Sequence, residues 1–175
     1  KKRKKSTLRL VFSAGAVLFA IAAVCMMFLN AVELVSGENV LAQYTGVQVA
    51  FGYSETYPLI GEVKFLNFSI MNLLPYILAL AGAVVALLAA LSKKSFLLNI
   101  IAVACFVAAA VFFFTAASYV SVAGSEGSGT LNVLVKNIVD ALKDGNNLKI
   151  AIGSILGGAF SVVAAACSAL KIFVK

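Results

Sequence analysis

Four long apolar stretches divide the chain. They run from Leu10 to Leu29, from Ile70 to Leu91, from Phe96 to Ser118 and from Ile150 to Leu170. Each is about 20 residues long, which is the length an α-helix needs to cross roughly 30 Å of hydrocarbon. We therefore predict an all-α membrane protein, a single four-pass domain over residues 1–175. Its four-helix transmembrane bundle has helices at about 8–29, 70–91, 96–118 and 149–171.

Charged residues distinguish the two ends of these helices. All seven acidic residues fall in two connections, residues 30–69 and 119–148. Most basic residues lie elsewhere: Lys1, Lys2, Arg3, Lys4, Lys5, Arg9, Lys93, Lys94, Lys171 and Lys175. Lys and Arg in short loops favour the cytoplasmic side of a membrane. We therefore predict a multi-pass protein of the cell membrane, with both termini cytoplasmic and the two acidic connections outside.

The composition agrees with a membrane protein. The chain has 175 residues, of which 62% are hydrophobic and 12% are charged, and its mean hydropathy is +1.04. Ordinary globular chains are about 45–50% apolar and about 25% charged. The net charge of +7 arises at the predicted cytoplasmic ends, beside anionic lipid headgroups that attract such residues. We expect Lys1, Lys2, Arg3, Lys4 and Lys5 to contact anionic lipid, and we expect no nucleic-acid partner.

Small side chains recur at three- and four-residue spacing along three of the helices. The stripes are Ser13, Ala16, Ala20 and Ala23; Ala79, Gly82, Ala86 and Ala90; and Gly153, Gly157, Ser161, Ala165 and Ser168. In lipid, helices associate through close packing, so small residues mark contact faces. We predict that Gly82, Ala86, Gly153, Gly157 and Ser161 pack helices together, either within one chain or between copies of it.

The two outer connections carry patterns of their own. Apolar residues alternate with other residues over 47–53 and 63–68, and a third candidate strand runs over 40–44. A period of two predicts strands, so we expect a small extracytoplasmic antiparallel β-sheet, with turns over the Pro- and Gly-containing residues 54–61. In the other connection, apolar residues at helical spacing over 131–142 predict an amphipathic helix. Thr130 is its candidate N-cap, and Gly145 follows its end.

Few residues suggest chemistry. The chain has no histidine and no tryptophan, no nucleotide-binding or metal-binding motif, and no charged residue inside a predicted helix. Cys25, Cys105 and Cys167 occur singly in three helices, and we expect them to be small buried hydrophobes. Asn99, about one turn inside the third helix, is expected to hydrogen-bond a neighbouring helix or, as an alternative, to line a pore. We predict a protein that is not an enzyme and has no cofactor or metal.

The layout is similar to the claudin-like tetraspan arrangement in topology: four helices, a strand-forming first outer loop and a smaller second one. The claudin first loop carries a Trp-Gly-Leu-Trp motif and a cysteine pair. This chain has neither, so the resemblance carries over no functional residue. We expect an accessory subunit or interaction protein whose outer loops contact another membrane protein, an extracytoplasmic protein or a ligand. The alternative is a subunit of an oligomeric pore or transporter, formed by self-association.

Overall fold

A computed structural model describes residues 2–58, 61–92, 95–123, 140–142, 144 and 147–173, with the backbone alone for residues 2–6, 61 and 95. The α-helices are α1 (Lys2–Cys25), α2 (Gly46–Phe51), α3 (Ile70–Leu91), α4 (Ser95–Phe114) and α5 (Ile152–Phe173). Short 3-10 helices follow α1 and α4 at Met26–Phe28 and Ala116–Tyr119.

Among the described residues, four helices are long and apolar enough to cross a membrane: Thr7–Phe28, Ile70–Leu91, Phe96–Phe114 and Ile152–Phe173. The four predicted long helices are therefore confirmed. Several of their predicted ends differ from the structure, beginning with α1, which starts at Lys2 and not near residue 8. The α-helical part of the first ends at Cys25, and α4 ends at Phe114. The last helix begins at Ile152, not at residue 149, because the residues before it join a sheet.

The chain packs as two compact units. The first, which we call the helical unit, comprises Lys1–Met26, Leu74–Phe113 and Leu156–Lys175. The second, the mixed unit, comprises Met27–Leu73 and Phe114–Ile155. All seven acidic residues of the sequence belong to the mixed unit, together with four of the fourteen basic residues, which gives −3. The other ten basic residues belong to the helical unit, whose sequence has no acidic residue.

The core of the helical unit consists largely of alanine. One buried cluster draws on all four long helices: Ala16, Ala20, Ala83, Ala86, Ala102, Phe106, Ala164 and Ala165. Large apolar side chains such as Leu18, Leu87 and Val107 are instead exposed. Small residues inside let the helix backbones approach closely, as helices in lipid do.

The described strands of the mixed unit form two antiparallel sheets. β1 (Asn30–Ser36), β2 (Asn39–Thr45) and β5 (Leu148–Ile150) pair in the order β2-β1-β5, and β3 (Tyr53–Tyr57) pairs with β4 (Gly61–Leu66). Val32 is opposite Tyr44 on one side and Ile150 on the other. The predicted small antiparallel sheet and the strand over 40–44 are confirmed. The single sheet is replaced by two, and β5 comes from the other connection.

The strand predicted over residues 47–53 is wrong, because most of it is helix α2. Thr45 caps this helix: its Oγ1 accepts a hydrogen bond from the Gln48 backbone at 3.3 Å, and the Gln48 side chain accepts one from the Thr45 backbone at 2.9 Å. This reciprocal capping box fixes a helix start. Gly52, at φ +94°, ends it. The predicted turn over 54–61 is also partly wrong, since β3 extends to Tyr57.

The mixed unit has its own hydrophobic core. Val32, Leu34, Phe65, Leu66 and Leu142 are buried together there. Residues 140–142 are helical, and they are the last turn of the predicted amphipathic helix. The rest of that helix, with Thr130 and Gly145, lies outside the described residues and stays a prediction.

Candidate functional site

The end of the β1–β2 hairpin, residues 36–41, consists entirely of exposed residues, and we call it the hairpin tip. Ser36 is opposite Asn39, so the turn has two residues. Gly37, at φ +64°, takes its first position, as hairpin turns with glycine there require. Val40 is 49% exposed and Leu41 is 57% exposed. Successive strand residues point to opposite faces, so the tip presents apolar side chains on both.

A polar row crosses the three-stranded sheet behind this tip. Glu33 of β1 is opposite Gln43 of β2 and Lys149 of β5. The Asn30 side chain donates to Gln43 Oε1 at 2.8 Å, and Gln43 Nε2 donates to Glu33 Oε2 at 3.5 Å. Opposite charges on neighbouring strands stabilise a sheet by roughly 0.2–1 kcal/mol. The row therefore has a structural role in the sheet.

The β3–β4 hairpin exposes two further carboxylates, Glu55 and Glu62. Tyr57 Oη donates a hydrogen bond to Glu55 Oε2 at 2.8 Å. This bond raises the pKa of the Tyr57 phenol above its ordinary value, since it stabilises the protonated form. The exposed acids, with the net charge of −3, give the mixed unit an anionic surface.

The five predicted packing residues are all buried within one chain. A β-carbon on Gly82 would lie 2.6 Å from Phe106 Cε1, and one on Gly157 would lie 2.7 Å from Phe113 Cε1. A β-carbon on Gly153 would lie 2.7 Å from the Asn30 carbonyl oxygen. Ala86 lies in the alanine core, and the Ser161 hydroxyl donates to the Gly157 carbonyl at 2.8 Å.

Two other expectations for the helices are wrong in part. Ala90 is exposed, and Ala89 takes the buried position at that level of α3. Cys25 is exposed too, while Cys105 and Cys167 are half-buried; all three are free thiols. The side chains of Lys1, Lys2, Arg3, Lys4 and Lys5 lie outside the described part of the chain, so their contact with lipid stays a prediction.

Asn99, Ser168 and Lys171 of the helical unit are buried, and sequence reasoning singled out Asn99 and Ser168 but missed the burial of Lys171. Asn99 is 2% exposed, Ser168 is 1% exposed and Lys171 is 5% exposed. Asn99 Oδ1, Ser168 Oγ and Lys171 Nζ have no hydrogen-bond partner among the described residues. The expectation that Asn99 bonds a neighbouring helix is thus wrong for its oxygen. Lys171, which the sequence places at the cytoplasmic end of the last helix, is instead buried within α5, which continues to Phe173.

Neither a metal-binding group nor a similar protein identifies the functional site. Within the described ranges, no three His, Cys, Asp or Glu side chains are grouped so that they could hold a metal ion. Comparisons with protein-family models, curated proteins and solved structures found no match to this chain. The hairpin tip and the buried polar residues are therefore the two features from which a function can be derived.

Proposed function

We propose that the protein is an integral membrane protein whose helical unit crosses the bilayer four times. The distribution of side-chain size supports this. Leu18 is 66% exposed, whereas the alanines of the core are buried. In water such an arrangement would leave a broad apolar surface uncovered, which soluble monomers avoid. In lipid the large side chains are covered by acyl chains, and the small ones let the helices pack.

The charge of the two units supports an orientation with both termini in the cytoplasm and the mixed unit outside. The helical unit carries ten basic residues and the mixed unit all seven acidic ones. Four passes bring the N-terminal tail, the link around Ser92 and the C-terminal end to one side, and the two connections of the mixed unit to the other. The positive-inside rule then makes the basic side cytoplasmic.

The mixed unit, in this proposal, binds another protein through the hairpin tip, so that the chain acts as an accessory subunit or interaction protein. The observation that carries this is the exposure of Val40 and Leu41 on opposite faces of one hairpin, beside Glu38. A few residues that become fully buried supply most of the affinity at protein interfaces. The anionic surface around the tip favours a partner with basic residues at the rim, since complementary charge speeds encounter.

The pore alternative has less support. Self-association through the small-residue stripes would use faces that include Gly82 and Gly157. Both already contact phenylalanine rings of the same chain, Phe106 and Phe113. A pore would need other helix faces, so the interaction role is the function that we propose.

The orientation is tested by labelling with a membrane-impermeant maleimide. Cys25, Cys105 and Cys167 are first replaced by alanine, and single cysteines are then introduced as Glu38→Cys and Ser92→Cys. Both positions are exposed, so accessibility depends on the side of the membrane. We expect Glu38→Cys to react on intact cells and Ser92→Cys only after permeabilisation. The reverse pattern would overturn the orientation.

The partner is tested by photo-crosslinking in cells. A photoreactive phenylalanine is placed at Leu41, with the exposed Thr56 of β3 as the matched control site in the same unit. We expect one crosslinked protein from position 41. Val40→Ser together with Leu41→Ser should then weaken the purified complex by at least about tenfold, as loss of an interface anchor does. An unchanged affinity would rule out the hairpin tip as the binding surface.

A further inference from the structure

Helices α4 and α5 are neighbours in the helical unit, and the end of α4 lies beside the start of α5. The Gly157 position of α5 lies against Phe113 of α4. Phe106 and Ala164 belong to the same buried cluster of the alanine core. From the first pair to the second, both helices advance by seven residues, about two helical turns. One more step of the same size would place Asn99 at the level of Lys171. The two buried polar side chains therefore fall at one level of the helical unit.

Helix α1 completes this level. A β-carbon on Gly15 would lie 3.4 Å from Cys167 Sγ, and the Phe19 and Phe160 rings are 6.0 Å apart between centroids. The start of α1 therefore runs along the end of α5. This brings the buried Ser13 to the level of Ser168, and Arg9 lies within electrostatic range of Lys171.

Buried polar groups of α4 and α5 at this level lack partners within the described part of the chain. Lys171 Nζ is a buried donor, Asn99 Oδ1 a buried acceptor and Ser168 Oγ serves as either, and none has a partner among the described residues. The helical unit has no Asp or Glu in its sequence, so no acidic side chain of this unit neutralises the ammonium. A buried charge without a counter-ion is strongly unfavourable. The arrangement is that of a site for an anion from outside the chain.

We infer that Lys171, Ser168 and Asn99 bind the phosphate group of a hydroxyl-bearing headgroup. The phosphate oxygens accept hydrogen bonds from Lys171 and Ser168, and a headgroup hydroxyl donates to Asn99 Oδ1. Lys171 lies in the last turn of α5, the depth at which lipid phosphates occur when a helix spans a bilayer. The source is an anionic glycerophospholipid at that end of the helices or a soluble phosphate. This site is independent of the proposed partner at the hairpin tip.

The site is tested on the full-length protein purified in neutral detergent. Phosphatidylglycerol, phosphatidylcholine or inorganic phosphate is added, and bound lipid is counted by native mass spectrometry alongside the thermal unfolding midpoint. We expect one tightly held phosphatidylglycerol that phosphatidylcholine does not replace. Lys171→Met should weaken it by at least about tenfold, as loss of a charged hydrogen bond does. Lys149→Met, at an exposed lysine of β5, should leave it unchanged.

Two further variants separate the site from general charge attraction. Replacement of residues 1–5 by glutamine should remove weakly bound lipid and retain the tightly held one. Asn99→Leu should weaken phosphatidylglycerol but not phosphatidic acid, which lacks the headgroup hydroxyls. Competition by inorganic phosphate, lost in Lys171→Met, would support the same site with a soluble ligand. Equal binding of phosphatidylglycerol by wild type and Lys171→Met would overturn the inference. Lys171→Arg keeps the charge, so binding retained in that variant distinguishes loss of the charge in Lys171→Met from a folding defect.

Discussion

Gly157 of α5 lies directly against the ring of Phe113 in α4, so that a β-carbon there would be 2.7 Å from Cε1 and 2.9 Å from Cδ1. Phe113 is fully buried and also contacts Tyr76 edge-on at 5.0 Å between centroids, so its ring has little room to move. Adding bulk to a packed core lowers the free energy of unfolding by about 1–3 kcal/mol. The higher helix propensity of alanine relative to glycine raises it by up to about 1 kcal/mol. We predict that Gly157→Ala lowers the free energy of unfolding by about 1 kcal/mol, measured by denaturation in micelles.

A matched glycine provides the control for this prediction. A β-carbon on Gly15 of α1 would meet only Cys167 Sγ, at an ordinary contact distance of 3.4 Å, so Gly15→Ala should be neutral or stabilising. Phe113→Leu should relieve the clash, and the double variant with Gly157→Ala should be more stable than the sum of the two changes by at least about 0.5 kcal/mol. Strict additivity would show that the ring is not what excludes the methyl group.

The start of α5 is fixed to β1 within the mixed unit, and this contact carries a second prediction. The Ala31 carbonyl accepts hydrogen bonds from the Ser154 hydroxyl at 2.8 Å and the Ala151 backbone at 2.9 Å. A β-carbon on Gly153 would lie 2.7 Å from the adjacent Asn30 carbonyl oxygen. Backbone gives way less easily than a side chain, so Gly153→Ala should be more destabilising than Gly157→Ala.

The effect of Gly153→Ala on the free energy of unfolding is measured in the same way, with denaturation monitored by circular dichroism in the far ultraviolet. Ser154→Ala serves as the comparison, since it removes one hydrogen bond of about 1 kcal/mol without adding bulk. We expect Gly153→Ala to cost more than Ser154→Ala. A smaller loss for Gly153→Ala would contradict the close approach of the two segments.

The capping box of α2 gives a third prediction. Thr45→Ala removes the acceptor for the Gln48 backbone and leaves that amide without its cap. N-cap threonines contribute about 1 kcal/mol, and α2 holds Val49 in the core of the mixed unit. We expect a loss of about 1 kcal/mol, measured as above, with the exposed Thr56→Ala of β3 as the control that leaves stability unchanged.

The same helix shows why the alternation over residues 47–53 predicts the wrong structure. Val47, Val49 and Phe51 alternate as strand residues do, but Thr45 and Gln48 stand at the three-residue spacing of a capping box and decide the structure. That signal was present in the sequence. β5 could not be predicted from the sequence, because Leu148 to Ile150 form a strand only by pairing with β1, more than a hundred positions earlier in the chain.

The long helices were predictable because apolar length alone determines them. The buried faces of these helices were only partly predictable. Ala86 and Gly157 are buried as the three- and four-residue spacing of small side chains predicts, but the exposure of Ala90 depends on how α3 is rotated against its neighbours. The burial of Lys171 likewise depends on what packs around the end of α5. A single lysine just beyond an apolar stretch looks like an ordinary cytoplasmic anchor, so that candidate site required the structure.

The last prediction concerns Tyr44, whose burial raises the pKa of its phenol from 10.0 to about 12, with smaller contributions from Tyr53, Tyr57 and Glu55. Below pH 10 the phenol is protonated in both folded and unfolded chains, and its contribution to stability is fully present. Between pH 10 and 12 the unfolded chain has lost the proton while the folded chain keeps it, so stability falls as pH rises. The measurement is the phenolate absorbance of wild type minus Tyr44→Phe. We expect a midpoint near 12 in the native protein and near 10 in denaturant; a native midpoint near 10 would show that Tyr44 is not buried in solution.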